Sequence, residues 1–226
     1  MLQGFYFIKS LCLFQRMANH TLHIQHNDYF WRYIMQTLIK KLLDYKPTNP
    51  FEDAERLAFA NFLQRNLDAL DRTNSIAHVT ASSWIVNEDM TKVLMCYHNI
   101  YKSWSWTGGH ADGNIDLKQV AVKEAMEETG IKNFTVLTPD FYDVEVIPVP
   151  PHFKRGFAIG NHLHLNVTYL LMADENELLR VKEDENSKLA WLDVDKLDEF
   201  VSEKDMLPIY HRLQEKAIEL RKEHRL

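Results

Sequence analysis

Three glutamates, Glu124, Glu127 and Glu128, stand at i, i+3 and i+4 within the segment GHADGNIDLKQVAVKEAMEETGI, residues 109–131. If that segment is helical, all three project from one side of it. Like charges four residues apart cost a helix about 0.2–0.5 kcal/mol per pair. The cluster also lies near the helix C-terminus, where the macrodipole disfavours anions. A hard divalent cation answers both penalties, because Mg²⁺ takes oxygen ligands and is shared between carboxylates, water and substrate phosphates. Without a cation the same cluster is a solvated helix face, its repulsion softened by Lys123. The opposite side carries Val120, Ala121 and Ala125, small enough to pack closely on a sheet.

The flanking spacing narrows the choice. Gly109 opens the segment, Lys123-Glu124 and Ala125 follow, then Glu127-Glu128, with Gly130 and Ile131 closing it. This resembles the signature of the Nudix family: Gly, five residues, Glu, seven residues, Arg-Glu, an aliphatic residue, any residue, Glu-Glu, any residue, Gly, an aliphatic residue. The Gly-Gly-His-x-Asp opening at residues 108–112 looks like that of one subgroup of Nudix hydrolases. Two positions depart from the pattern: Ile115 replaces the internal glutamate and Lys123 replaces the arginine. In the family those two side chains pair with each other, so their joint loss reads as one structural change. Lys lacks the planar fork that Arg offers a carboxylate, which loosens the orientation of Glu124. Asp112 or Asp116 offers Lys123 a replacement partner.

The resemblance implies an α/β fold, a mixed β-sheet packed between helices as an α/β/α sandwich with an N-terminal helical extension. It implies hydrolysis of a diphosphate linkage in a nucleoside-diphosphate-type small molecule, dependent on Mg²⁺ or Mn²⁺. Glu124, Glu128, Glu127 and the Gly109 carbonyl are the implied metal ligands, and Glu127, Glu128 and Lys123 the implied catalytic set. Which carboxylate serves as general base varies within the family. Glu185, before the last strand, is a further candidate, or else a plain surface glutamate.

Candidate substrate contacts come from three places. His110 and Asp112 adjoin the first motif glycine, and His162 and His164 alternate with apolar residues along a strand. Arg155, with Lys154, lies in a Pro- and Gly-bounded loop. Each has a plainer reading, as a solvent-facing histidine or a solvated charged pair. A transition-metal site built from His110, His162 and His164 is another use of the same rings, although H-x-H on a strand is not diagnostic. Trp104 and Trp106 either stack on a base or pack beneath their loop.

The elements that must hold these residues are legible from periodicity. Apolar residues recur at three and four from Asp28 to Leu43, and a second helix spans 51–70 with Leu57, Phe59, Phe62 and Leu63 as its stripe. Residues 1–75 are therefore read as a helical extension and 76–226 as the catalytic domain. Strands are expected over 76–86 and 92–98, joined by the Asn87-Glu88-Asp89 turn. Further strands are expected within 134–149, over 162–173 and over 189–194, around a helix over 117–129 ended by Gly130. Helices near 194–201 and 208–225 close the chain.

Composition sets the bounds. A chain of 226 residues with a net charge of −6 lacks the concentrated basic face of a nucleic-acid binder. Cys12 and Cys96 are its two cysteines, so a disulfide framework is excluded and a reducing, cytoplasmic setting is expected. The apolar start, Met1 to Phe14, lacks both the basic flank and the small-residue cleavage site of a signal peptide. The expected partner is a small diphosphate substrate, with no membrane, and the N-terminal helices suit a homodimer. An isopentenyl-diphosphate-isomerase-like activity is an alternative, but the cysteine it needs near the first motif glycine is missing from residues 104–112. A ligand-binding or regulatory module without turnover is the other, resting on Ile115 and Lys123.

Overall fold

The computed structural model describes residues 32–154, 156–182 and 186–224. The expectations for residues 1–16, the helix start at Asp28, Arg155 and Glu185 lie outside the described residues. The first described helix, α1, covers 32–44, and α2 is Pro50–Arg65. Asn49 starts α2 by accepting the Phe51 and Glu52 amides at 3.0 and 2.9 Å, with Pro50 in the first turn. Such a cap is worth about 1 kcal/mol.

Ten strands follow. They are β1 Ala77–Val86, β2 Lys92–His98, β3 Ser103–Ser105, β4 Thr107–His110, β5 Thr135–Val136, β6 Asp143–Val149, β7 His152–Lys154, β8 Phe157–Ile159, β9 His162–Met172 and β10 Asn186–Asp193. Eight form one mixed sheet in the order β10-β2-β1-β9-β5, with β3 on β2, β4 on β1 and β6 on β9. Helix α3, Leu117–Thr129, lies between β4 and β5, and α4, Leu197–Phe200, and α5, Leu207–His224, end the described chain.

β1 and β9 run parallel in unbroken register from Ala77↔Leu163 to Val86↔Met172. Because side chains alternate across a strand, this register gives the sheet two unlike faces. On one, Val79, Ala81, Leu165, Val167 and Leu171 pack with Ala121 and Ala125 of α3 and with Ile34, Leu38, Leu42, Phe59 and Leu63 of α1 and α2. The other is polar at the strand starts and apolar at their ends, where Trp84 and Leu170 meet Tyr210, Leu213 and Ala217 of α5.

Several boundaries differ from the expectation. α2 stops at Arg65 rather than at Leu70, because the backbone beyond it serves the sheet. The Ala69 carbonyl accepts the Val79 amide at 2.8 Å and the Leu70 carbonyl accepts that of Gly113 at 3.0 Å. Leu57 is exposed and Ala60 buried in its place. Residues 152–154 and 157–159, expected as part of a loop, pair as the β7–β8 hairpin, with Gly156 at φ 85°. The strand expected from 189 begins at Asn186.

The two ends of the described chain meet in a buried charge network. Asp143 of β6, fully buried, takes Arg212 of α5 in a two-bond pair at 2.9 and 2.8 Å and Lys216 at 3.1 Å. Lys216 also reaches Glu52 of α2 at 2.7 Å and the Tyr45 hydroxyl at 2.6 Å. Burial pushes the Glu52 carboxyl up, but hydrogen bonds from Lys216, Tyr45 and the Thr48 amide outweigh it and hold its pKa at about 2. Removing one member of a buried pair strands the other's charge, at about 3–5 kcal/mol. Arg212→Met is therefore expected to lower unfolding free energy by about that amount in urea titrations, and adding Asp143→Asn to recover part of it. The stabilising share of Glu52 is full above its free-carboxyl value of 4.5 and is lost as pH falls through about 2. Unfolding measured across that window is expected to show a smaller acid-side loss in Glu52→Gln.

Candidate active site

Helix α3 is held at both ends. The Asp116 side chain accepts the Gln119 amide at 3.0 Å, and Gly130, at φ 77°, supplies the left-handed residue that ends the helix. Ala121 and Ala125 are fully buried against the sheet, and Ser83 of β1 donates to the Ala121 carbonyl at 3.1 Å. This fixes the helix rotation and hence the aim of each glutamate.

The three glutamates diverge. At about 100° per residue, Glu127 and Glu128 fall to opposite sides of Glu124. Glu128 turns inward, accepting the Gly108 amide at 3.1 Å and the Asn186 side-chain amide at 2.9 Å. Burial raises its pKa to about 7. Glu124 lies against Gly109, where an added Cβ would stand 2.5 Å from the Glu124 carboxyl carbon. Burial raises its pKa also. Glu127 points along the outer edge, paired with Lys182 at 2.9 Å and Lys123 at 3.4 Å.

Lys123 does not take either aspartate offered as its partner. Asp112 is held by Arg72 in a two-bond pair, and Asp116 is engaged as the helix cap. Lys123 instead lies between Glu127 and Glu124, 4.0 Å from the latter. Ile115, at the internal glutamate position, is half exposed and braces nothing polar.

The polar face of the sheet forms a second wall. The registers His78↔His164, Thr80↔Asn166 and Thr80↔His110 put β1, β9 and β4 side chains on one face. Thr80 and Ser82 donate to the Asn166 side-chain oxygen at 2.8 and 2.9 Å. Asn166 in turn donates to the fully buried Glu145 at 2.8 Å. Beyond them sit His78, His110, His162 and His164. Burial, reinforced by the Arg72 charge, lowers the pKa of His110 to about 3. Burial, reinforced by the neighbouring rings, lowers that of His164 to about 2. Both are neutral near pH 7, so they bring no positive charge to a phosphate.

These walls enclose a cleft of about 550 Å³, lined by Glu124 and Glu128 on one side and the histidines on the other. Lys182, Lys154 and Arg72 add positive charge to it. That volume suits a small molecule. Of the residues singled out in the sequence, Glu124, Glu128, Gly109, His110, His162 and His164 line this cleft, whereas Glu127, Lys123 and Asp112 stand outside its lining. Trp106 packs edge-on to Tyr210 and Trp104 edge-on to Tyr97. Sequence reasoning missed His78, Lys182 and Asn186. His78 alternates with Thr80 and Ser82 along β1, which was a visible signal. Cys96 also lines the cleft, and burial keeps its thiol protonated, donating to main-chain carbonyls at 3.4 Å.

The cleft's glutamates fit a hard cation. Two carboxylates share a buried wall, their charge disfavoured by desolvation, and Gly109 leaves the space beside Glu124 that any side chain would fill.

Comparison with solved structures places this chain beside RenU, a Nudix hydrolase from M. smegmatis, at 18% identity and TM-score 0.47, over 62% of this chain and 86% of that one. The MutT protein from Methanosarcina mazei Go1 aligns at 15% identity and TM-score 0.47, over 64% and 97%. An Ap4A hydrolase from C. elegans aligns at 17% identity and TM-score 0.44, over 61% and 93%. No curated protein matches the sequence. The sequence model of the NUDIX domain matches residues 77–213, more than half of the chain, and with the glutamate helix and sheet that it spans this places the chain in the Nudix hydrolase family.

Proposed function

We propose that the protein hydrolyses a diphosphate linkage in a nucleoside-diphosphate-type small molecule and does so with Mg²⁺. The observation that carries this reading is the convergence of Glu124 and Glu128 on the Gly108-Gly109 backbone inside the cleft. Those two carboxylates would hold the cation, with the Gly109 carbonyl as a further ligand. When bound, such a cation neutralises phosphate oxygens and makes a nearby water more acidic. The water oxygen bonds to one phosphorus as its proton passes to one of the motif carboxylates, the bridging P–O bond breaks, and the departing phosphate keeps the electron pair.

The chain's own groups orient this event. Asn186 and the Gly108 amide fix the Glu128 carboxylate, leaving it one preferred aim. Lys182, at the cleft, meets the substrate phosphates, and Glu127 holds it there through their 2.9 Å pair.

A panel of nucleoside triphosphates, dinucleoside polyphosphates, nucleotide sugars, ADP-ribose and isopentenyl diphosphate, with and without Mg²⁺, tests the reading. Metal-dependent turnover that disappears in Glu124→Gln/Glu128→Gln is the expected result. Retention of full turnover in that variant would overturn it, and Mg²⁺ binding without any turnover would favour a ligand-binding module. Asn186→Ala is expected to weaken Mg²⁺ activation about 10–100-fold, the usual cost of losing a partner that orients a metal ligand. Gly109→Ala is expected to lose activity without loss of folding, because its Cβ displaces Glu124; wild-type kinetics in this variant would count against that placement.

A further inference from the structure

The cleft contains a second cluster of donors, chemically unlike the glutamates. His78 from β1, His110 from β4 and His164 from β9 each offer one ring nitrogen, and these three atoms all lie within 4.8 Å of one another. Their ring centroids are mutually 5.0–5.1 Å apart. His162 joins them, its centroid 5.0 Å from that of His78 and 5.1 Å from that of His164.

Hydrogen bonds to backbone carbonyls fix the tautomer of two of these rings. His78 Nδ1 lies 3.0 Å from the Asn74 carbonyl. A carbonyl only accepts, so Nδ1 carries the proton and Nε2 of this neutral ring is left with its lone pair. That Nε2 is buried with no hydrogen-bond partner among the described residues. His162 repeats the pattern: Nδ1 stands 3.0 Å from the Gly160 carbonyl, and its Nε2 lone pair lies 3.3 Å from His164 Nε2. A backbone carbonyl on the far ring nitrogen is the arrangement that orients histidines bound to metals.

From these contacts we infer that His78, His110 and His164 bind one divalent transition-metal ion of the zinc class, with the fourth position left to water. Imidazole nitrogens suit zinc, copper, iron and nickel, whereas Mg²⁺ takes oxygen. Zn–N bonds of about 2.0–2.1 Å in a tetrahedron set neighbouring ligand nitrogens about 3.3–3.4 Å apart, inside the 4.8 Å that bounds the three ring nitrogens here. The ion joins the start of β9 to β1 and to the end of β4, and sets a positive charge across the cleft from Glu124 and Glu128. This site is independent of the proposed hydrolysis, since it shares no ligand with the glutamates.

Metal content decides it. Tag-free full-length protein is dialysed against Zn²⁺, freed of excess and assayed for bound zinc by mass spectrometry, with circular dichroism checking each variant's fold. The expected result is one zinc per chain in the wild type, in Glu124→Gln/Glu128→Gln, and in a His20→Gln/His23→Gln/His26→Gln control. Loss of that zinc is expected in His78→Gln/His164→Gln. Cobalt-loaded wild type, which needs no variant to fold, is expected to show the intense visible bands of a four-coordinate site. Zinc absent from the wild type, retained by the folded histidine variant, or lost with the glutamates would overturn the proposal, as would weak octahedral cobalt bands.

Discussion

The parallel pairing of β1 with β9 is the constraint on which the rest depends. Ten consecutive residues of β1 are held in register against β9. Since the side-chain period of a strand is two, a slip of one residue would turn every side chain to the opposite face. In the observed register His78, Thr80 and Ser82 stand beside His164, Asn166 and Thr168, and Val79 and Ala81 stand beside Leu165 and Val167. One slip would bury the histidines under α3 and expose the valines to the cleft. Burial of the apolar set, about 25 cal/mol per Å² removed from water, therefore also aligns the polar set.

A helix can deliver carboxylates to such a cleft only if its rotation is fixed. Ala121 and Ala125 bring α3 close to the sheet, Asp116 and Gly130 fix its ends, and Arg180 packs on the terminal glycine, where any Cβ would meet its side chain at 2.7 Å. With the rotation set, Glu124 and Glu128 face inward and Glu127 faces Lys182. Desolvation then raises both inward carboxyls. Buried carboxyls of this kind are disfavoured as anions unless a cation or a proton compensates them, so the packing that fixes the helix also makes the pair sensitive to both.

The N-terminal helices belong to the same core. Leu38, Leu42, Phe59 and Leu63 pack on the sheet face opposite the cleft, and Glu52 reaches the Lys216–Asp143–Arg212 network. They act as the layer that dries one side of the sheet. Desolvating Asp143 and Glu145 on β6 depends on α2 and α5 closing over that strand. No helix among the described residues is long and apolar enough to cross a membrane.

The sequence by itself determined the elements and the chemistry of the main motif. The spacing from Gly109 to Glu124, the helix over 117–129 and its stop at Gly130 are local matters of backbone propensity and period, as is the polar alternation of β9. Helix spacing also said that Glu124, Glu127 and Glu128 share a side, but not how widely they spread once Ala121 and Ala125 were buried. Tertiary structure alone decided what lies across the cleft. His78, His110 and His164 are separated by 32 and 54 positions in the chain, and only the β1–β9 and β1–β4 registers bring them together. The long-range partners of Glu127, Asp112 and Glu128 were equally illegible, because each comes from a distant segment: Lys182, Arg72 and Asn186. Local sequence fixes periodicity within an element, while register and ion pairing between elements follow from which faces can be buried together.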